Sequence, residues 1–454
     1  MYVLLIAAIL LAFGLPPVKP PAFFEGWFSF LATWALALSV PLAGFLVVNL
    51  ARRALAHPKR ASRIWFFQAA SFGYRVLLLG GYATSLHFFG WSYLVLKRWP
   101  FGNWVLVGEV LVLAPFLLSV IVSLVPGHRL EMAFRNASQT RRDWPWRDYL
   151  LFHMRHHILV VLLPWLLYVS VSDLLRFLPG FAGKLTETTW GELSSAAVLV
   201  FVINLVAPLG LSVIFSTERF PEGRLRQRLF LLADRLGLKV RDVLLWRTGN
   251  GDISNAFVAG LFGPLRYVFL SDALIARLEE DEVEAVFGHE AAHIKTHQMA
   301  FYFVFALSFI FVVWAAEILL GKVLGLLGSK PANWEAMLVA ATTALLYWGV
   351  LFGYISRRLE RGCDLWGAKA IGGIGPMARA LEKIGRAEGW RSGRSWRHFG
   401  IARRVEDLRI FEKDSEVERR WLRETIGALV IAFVVIAVSL IAVFHPGLGD
   451  ALKS

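Results

Sequence analysis

Residues 286–321, VFGHEAAHIKTHQMAFYFVFALSFIFVVWAAEILLG, join a polar stretch to an apolar one. Within the apolar part, from position 299 on, the only charged residue is Glu317. This part is long enough to cross the hydrocarbon core of a bilayer, which takes about 20 helical residues. His289 and His293 precede it four residues apart, a spacing that places them on one face of a helix. The stretch therefore predicts an interfacial polar helix followed by a membrane-spanning helix.

The composition of the whole chain is that of a membrane protein. Of 454 residues, 57% are hydrophobic, 18% are charged and 18 residues are tryptophan, which is too apolar and too aromatic for an ordinary soluble protein. The net charge of +14 comes from basic clusters between apolar runs, so it indicates membrane topology, and we predict no nucleic-acid partner. The single cysteine, Cys363, rules out an intramolecular disulfide and a cysteine-based metal site.

Nine apolar stretches are long enough, or nearly so, to span a bilayer. The first is short and lacks a basic n-region, so a re-entrant segment and a cleaved signal peptide are alternatives for it. The limits of the nine stretches are 2–16, 28–50, 64–89, 103–125, 157–178, 193–216, 299–321, 336–355 and 424–444.

Lysine and arginine collect in the loops after the second and fourth stretches, which the positive-inside rule places in the cytoplasm. The same alternation places two long charged segments, 217–298 and 356–423, on that side. Lys97 and Arg98 do not follow the rule. We expect a multi-pass protein of a cell inner membrane whose soluble part faces the cytoplasm.

The segment 217–298 has the pattern of a soluble domain. Leucines at helical spacing predict a helix over 223–236. Two short strands are predicted at 242–246 and 266–270, because turn-rich residues follow the first and precede the second. A helix-forming run with few interruptions then extends over 271–298.

The helix-forming run contains His289-Glu290-Ala291-Ala292-His293. Two imidazoles one turn apart can bind one zinc ion, and the intervening glutamate is placed to take a proton from the attacking water. The pattern predicts His289 and His293 as zinc ligands and Glu290 as general base. A surface helix with solvated histidines is the alternative. His297 is expected on the face of His293, but about 6 Å further along the axis, too far for a compact tetrahedral site.

Carboxylates that could complete the zinc site follow the eighth apolar stretch. Glu360 and Asp364 are one helical turn apart, so one could bind the metal while the other accepts the free N–H of a ligand histidine. By spacing alone the indication is weak, because charged residues at a membrane exit are usually solvated.

Four strings of residues, taken in order, resemble an integral-membrane zinc metalloprotease family, that of the CAAX prenyl proteases and the HtpX-type heat-shock proteases. Their order, their spacing and the helical hairpin between the second and third all fit that family. The strings are Asn255-Ala256-Phe257, His289-Glu290-Ala291-Ala292-His293, Ser356-Arg357 followed by Glu360 and Asp364, and His398-Phe399-Gly400-Ile401-Ala402-Arg403-Arg404.

The resemblance implies a role for each string. Residues 255–257 would form an edge strand that lines the substrate cleft. Glu360 would be the third zinc ligand, and Asp364 would hold a ligand histidine in place. His398 would contact the substrate near the scissile bond and stabilise the tetrahedral oxygen, although Phe399 stands where the family has proline.

The predicted fold is mainly α: a polytopic helical membrane protein of about nine transmembrane segments, with a gluzincin-type HExxH catalytic domain that contains a small β-sheet. Its predicted parts are 1–216, an N-terminal transmembrane region of about six segments; 217–298, the first part of the cytoplasmic catalytic domain; 299–355, a transmembrane hairpin; 356–423, the second part of the catalytic domain; and 424–454, a C-terminal transmembrane segment and tail.

The predicted activity is peptide-bond hydrolysis by a zinc metalloendopeptidase with one Zn²⁺ per chain. Its expected partners are the lipid bilayer and a polypeptide substrate, first of all membrane-associated or misfolded proteins. Two alternatives are a CAAX-like protease that processes a lipidated or specific peptide, and a non-catalytic zinc-binding membrane sensor in which Glu290 has no role. An intramembrane protease would place HExxH in an apolar span, and the acidic run at 279–284 argues against it.

Overall fold

The apolar stretches of the sequence fold as long α-helices, and a small β-sheet lies in the charged segment 217–298. This architecture confirms the predicted fold class. The chain forms two compact units, one of residues 1–218 with 246–253 and one of residues 219–245 with 254–454. The computed structural model describes residues 2–14, 16–55, 60–138, 143–177, 189–326, 333–388 and 400–444.

The first unit consists of apolar helices. Its α-helices are α1 (Tyr2–Phe13), α2 (Trp27–Leu55), α3 (Arg60–His87), α4 (Trp91–Tyr93), α5 (Val107–Ser138), α6 (Trp146–His153), α7 (Val160–Phe177) and α8 (Thr189–Ile214). Two π-helical segments, Leu94–Arg98 and Met154–Leu159, follow α4 and α6. Helix α2 packs along α3 and α5. A hydroxyl joins two of them, since Ser119 Oγ donates to the carbonyl of Ala37 at 2.7 Å.

The remaining elements include the sheet and the helices that carry the candidate metal ligands. They are β1 (Thr217–Arg219), α9 (Arg224–Arg235), β2 (Asp242–Trp246), β3 (Ala256–Ala259), β4 (Tyr267–Ser271), α10 (Asp272–Ile275), α11 (Glu280–Lys295), α12 (Gln298–Leu326), α13 (Asn333–Ala344), α14 (Gly353–Ala370), α15 (Ile374–Glu388), α16 (Ile401–Lys413) and α17 (Ser415–Phe444). A π-helical segment, Leu345–Phe352, joins α13 to α14.

The sheet has the strand order β1-β2-β4-β3, so β3 is an edge strand. Strand β3 pairs antiparallel with β4, with Ala256 opposite Leu270 and Ala259 opposite Tyr267. The predicted strand 242–246 is confirmed, and the predicted strand 266–270 begins and ends one residue later. Buried leucines and valines of α9, β2, β4 and α11 form the core beside the sheet.

The HExxH helix, α11, is shorter than the predicted run over 271–298. The chain leaves helical geometry between Ile275 and Glu280, where the Glu279 side chain caps the new helix and Glu282 caps the backbone N–H of Glu279 in return. The helix ends at Lys295. His297 has a φ of 54°, a left-handed conformation, and is exposed. The prediction that His297 continues the face of His293 is therefore wrong, because α11 ends at Lys295 and His297 lies in the turn that follows it.

Seven helices among the described residues are long and apolar enough to cross a membrane, and they coincide with seven of the nine predicted stretches. They are Trp27–Ala51, Val107–Asn136, Trp146–Leu175, Ala197–Ile214, Gln298–Leu326, Leu338–Ala370 and Ser415–Phe444. The first predicted stretch is the 12-residue helix α1, and the third is the 28-residue helix α3. The chain is a multi-pass membrane protein, and the count of nine spans stays a prediction.

Candidate metal centre

The two helices that carry the candidate ligands cross at glycines. A Cβ atom added to Gly367 of α14 would lie 2.7 Å from the backbone nitrogen of His289 and 3.0 Å from the carbonyl carbon of Gly288, both on α11. These distances are shorter than van der Waals contact, so no side chain fits between the backbones. The crossing brings Asp364 and Glu360, one and two turns before Gly367, to the HExxH motif.

His289 faces both carboxylates of α14. Its Nδ1 lies 2.9 Å from Asp364 Oδ1 and its Nε2 lies 3.6 Å from Glu360 Oε2, and all three side chains are buried. Burial lowers the pKa of His289, but the hydrogen bonds to Asp364 and Glu360 outweigh it and raise the pKa to about 10. Because Nδ1 faces the Asp364 carboxylate, Nε2 is the nitrogen that can bind a metal.

His293 is held by a different kind of partner. Its Nδ1 lies 2.7 Å from Oε1 of Gln298, a neutral amide, and 3.5 Å from the thiol sulfur of Cys363. Its ring centroid lies 5.1 Å from that of His289, with an angle of 82° between the ring planes. Both imidazoles therefore have Nδ1 engaged on the protein side, which leaves both Nε2 atoms for one shared ligand.

Arg404 of α16 forms an ion pair with Asp364. Its Nε and Nη2 lie 2.7 and 2.5 Å from the two carboxylate oxygens of Asp364, a bidentate pair. Burial alone lowers the pKa of Arg404, but the Asp364 carboxylate beside it raises the pKa above its usual value. A second ion pair in the opposite sense joins the same two helices, between Arg361 of α14 and Asp407 of α16 at 2.7 Å.

The residues fit a zinc ion. His289, Glu290 and His293 each offer one ligand atom, and these atoms lie within 4.8 Å of one another. Zinc bonds of about 2.0–2.1 Å in tetrahedral geometry place ligand atoms roughly 3.4 Å apart. His289 Nε2 and Glu360 Oε2, at 3.6 Å, are close to that separation. Two imidazoles and one carboxylate also form a donor set that zinc takes in catalytic sites.

The first string of the resemblance lies on the edge strand. Asn255 is exposed just before β3, and its backbone N–H and C=O pair with Ser271, at 3.0 Å each. Ala256 and Phe257 belong to β3, and the Phe257 ring stacks on Phe269 at 4.4 Å. Strand β3 packs beside α11. The structure therefore brings 255–257 next to the HExxH helix, at the edge strand of the sheet.

One predicted site residue, His398, lies outside the described residues. The sequence predicts no role for two residues of the candidate metal centre, Arg404 and Gln298. Arg404 ends the fourth string of the resemblance, but nothing in its spacing indicates a pair with Asp364. Gln298 follows the motif closely, yet its contact with His293 depends on the turn at His297, which helical periodicity does not predict.

Comparisons with known proteins agree with this geometry. Residues 221–424 match Peptidase family M48. The protein named Protease HtpX homolog from Bordetella avium is 28% identical over 192 residues, which are 40% of this chain and 62% of that protein. Protease HtpX from Shewanella baltica is 27% identical over 227 residues, 44% of this chain and 76% of that protein. For the HtpX homolog of Janthinobacterium, at 30% identity, the covered share of that protein is 55%.

The fold has a relative among solved structures. The crystal structure of S. mikatae Ste24p superposes with a TM-score of 0.55 at 14% identity, covering 86% of this chain and 100% of that one. At 14% identity, this similarity is evidence about the fold alone. The resemblance inferred from the four strings is thereby confirmed: this chain is similar to the membrane zinc metalloproteases of the HtpX and CAAX protease type, through residues 221–424 in sequence and through a Ste24p-like fold.

Proposed function

We propose that this chain is a membrane zinc metalloendopeptidase with His289, His293 and Glu360 as metal ligands. The observation that carries the proposal is the convergence of α11 and α14. Both imidazoles have Nδ1 engaged by protein partners, and the Glu360 carboxylate lies 3.6 Å from His289 Nε2. His289 and Glu360 are buried and His293 is half-buried, and two imidazoles with one carboxylate are a donor set that zinc takes in catalytic sites.

Each residue of the proposed site has its own role in peptide hydrolysis. When bound, zinc supplies Lewis acidity toward the scissile carbonyl and the attacking water. Glu290, buried between the two histidines, takes a proton from the water and later delivers it to the leaving amine. Asp364 keeps His289 in the tautomer that can bind metal. His398 donates to the tetrahedral oxygen, as the resemblance implies.

The substrate binds as an added strand. Strand β3 is an edge strand beside α11, so an extended peptide that pairs with the backbone of 254–258 runs next to the HExxH helix. Main-chain pairing accepts many sequences, which suits misfolded or membrane-associated proteins. The names of the sequence relatives, Protease HtpX and Protease HtpX homolog, support the protease activity itself. CAAX-like processing of a lipidated or specific peptide is the alternative, and cleavage sites mapped on candidate substrates separate scattered cuts from one defined cut.

The catalytic residues face the cytoplasm of an inner membrane in this proposal. The support is the distribution of lysine and arginine, which collect in the loops on the side of 217–298 and 356–423. Damaged membrane proteins expose unfolded segments at that surface, where the edge strand and the metal centre can reach them.

Cleavage of an unfolded test protein by the purified full-length chain tests the proposal. Glu290→Ala is expected to lower the cleavage rate by about 10²–10⁴-fold, the usual contribution of a general base. Glu222→Ala, which changes an exposed carboxylate of the same unit, is the matched control and should keep wild-type activity. Chelation should abolish cleavage and added zinc restore it. Zinc binding without cleavage of any substrate, equal in wild type and Glu290→Ala, would favour the non-catalytic sensor.

A further inference from the structure

A chain of hydrogen bonds runs from the end of α11 to His293. The Thr296 hydroxyl lies 2.7 Å from the carbonyl of Ala292, the Gln298 amide nitrogen lies 2.8 Å from that hydroxyl, and Gln298 Oε1 lies 2.7 Å from His293 Nδ1. The Gln298 amide nitrogen also lies 3.1 Å from Cys363 Sγ. Gln298 is 3% exposed and Cys363 is fully buried, so water does not compete for the contact between the Gln298 amide and the thiol, whereas Thr296 is exposed.

The hydrogen bonds of Thr296 orient the Gln298 amide. The Thr296 hydroxyl donates to the carbonyl of Ala292, which also accepts from the Thr296 backbone N–H, and the same hydroxyl accepts from the Gln298 amide nitrogen. The Gln298 NH₂ group donates to Thr296 and to Cys363. Gln298 Oε1 then faces His293 Nδ1, and an acceptor at that position favours the His293 tautomer that carries its proton on Nδ1.

The turn at His297 makes this arrangement possible. His297 has a φ of 54°, and its N–H donates to the carbonyl of Ile294 in the turn that follows α11. Gln298 is the first residue of α12, a helix long and apolar enough to cross a membrane. A residue that begins a candidate membrane span thus points back to an imidazole of the metal centre.

We infer that Gln298 is a positioning residue that holds His293 in the Nδ1–H tautomer, with Thr296 and Cys363 orienting its amide. The inference rests on the proposed function, because it concerns the residue that presents the second histidine to the metal. His289 and His293 are then held by unlike partners, the carboxylate of Asp364 and the neutral amide of Gln298. Losing the acceptor lets the His293 ring rotate or exchange its proton, which weakens metal binding.

Metal affinity of the purified full-length protein, stripped by chelator and titrated with Zn²⁺ against a chromophoric chelator, is the readout. Gln298→Leu, which removes the acceptor at similar volume, is expected to weaken zinc binding by about 10–100-fold. Gln298→Glu keeps the acceptor and loses the donor, so it should retain an affinity close to that of the wild type. Gln227→Leu, at an exposed glutamine of α9 in the same unit, is the matched control.

Co²⁺ in place of Zn²⁺ gives a second readout, because its visible absorption bands report ligand geometry. Gln298→Leu should shift these bands, and Gln298→Glu should not. Thr296→Val leaves Gln298 in place but removes the hydroxyl that orients its amide, so it should weaken zinc binding less than Gln298→Leu and serves where the latter does not fold.

Some outcomes of these measurements would contradict the role of Gln298, and one would contradict the proposed function. Gln298→Leu or Thr296→Val with wild-type affinity and spectrum overturns the inference. Gln298→Glu as damaging as Gln298→Leu also overturns it, since the amide would then act on His293 as a donor. A wild-type protein that binds no metal overturns the proposed function instead, so the two failures are distinguishable.

Discussion

At the scale of single residues, the position of His289 depends on Arg404. The Arg404 guanidinium neutralises the buried Asp364 carboxylate, which in turn lies 2.9 Å from His289 Nδ1. Arg404→Leu leaves Asp364 buried without its partner, a change that costs about 3–5 kcal/mol for a buried pair. We expect a lower unfolding temperature in detergent and zinc affinity weaker by about 10–100-fold.

The control for this prediction lies on the same helix. Arg409 of α16 is 61% exposed and pairs with Glu382 across 3.1 Å, so Arg409→Leu removes an arginine without touching Asp364. Exposed pairs contribute about 0–1 kcal/mol. If Arg404→Leu and Arg409→Leu have the same unfolding temperature and the same zinc affinity, Arg404 does not support the centre.

The residues of the candidate centre differ in how far the sequence predicts them. The pairing of His289 with His293 follows from spacing within one helix, so periodicity is sufficient. The nearness of Glu360 and Asp364 to that helix needed the family resemblance, because it is set by a helix crossing distant in sequence. The contacts of Arg404 and Gln298 depend on the docking of α16 and on a left-handed turn, for which the sequence carries no periodic signal.

At the scale of elements, the crossing of α11 and α14 sets the distance between the ligands. A methyl group on Gly367 would meet the backbone of His289 at 2.7 Å and the Met377 methyl at 2.9 Å. Gly367→Ala should therefore separate the two helices, at a cost of about 1–3 kcal/mol, and loosen the metal centre. Zinc affinity and unfolding temperature are expected to fall together.

Gly373→Ala provides the comparison for the crossing. A Cβ atom on Gly373, just beyond the end of α14, would meet nothing within 4 Å. This variant should keep the zinc affinity and stability of the wild type. Equal zinc affinity in Gly367→Ala and Gly373→Ala would mean that the glycine contact does not set the ligand distance.

The start of α11 is fixed by buried charge. Glu282 is fully buried, and its carboxylate lies 2.7 Å from Lys383 Nζ and 3.2 Å from Arg379 Nε, both on α15. Burial raises the pKa of Glu282, but Lys383 and the backbone N–H of Glu279 hold the pKa below the usual 4.5. Glu282→Gln keeps a cap for Glu279 but loses the ion pairs, so it should lower the free energy of unfolding by about 1–3 kcal/mol.

The pH dependence follows from the sign of that shift. A lowered pKa in the folded state contributes stability above the ordinary glutamate pKa, and this contribution is lost as the pH falls below 4.5. The difference in unfolding temperature between wild type and Glu282→Gln should thus be full at neutral pH and shrink below pH 4.5. A difference independent of pH would contradict the ionic origin, and Glu412→Gln, at an exposed site, should show no difference.

At the scale of the whole molecule, the sequence predicts the membrane class and most spans, because long apolar runs leave a helix as the structure that satisfies the backbone in lipid. The helix ends are less predictable. The eighth predicted stretch ends at 355, yet the helix continues to Ala370, and α17 begins at Ser415 rather than at 424. Charged residues at these ends form ion pairs between α14 and α17, Arg358 with Glu424 and Lys369 with Glu418, and hydropathy does not register such pairs.

The orientation in the membrane is a prediction of the same scale. The native thiol, Cys363, is fully buried, so single introduced cysteines can be labelled over a low background. Lys322→Cys, exposed on α12, should react with a membrane-impermeant maleimide added to intact cells. Glu412→Cys, exposed on α16, should react only after permeabilisation. The reverse pattern would place the metal centre outside the cytoplasm.

Zinc content and peptide cleavage, measured together on Glu290→Gln and Glu360→Gln, test the metalloprotease account most directly. The account predicts that Glu290→Gln retains about one zinc per chain and loses cleavage, since a general base is not a ligand, whereas Glu360→Gln loses both. Full zinc content and full cleavage in Glu360→Gln, or undiminished cleavage in Glu290→Gln, would contradict it.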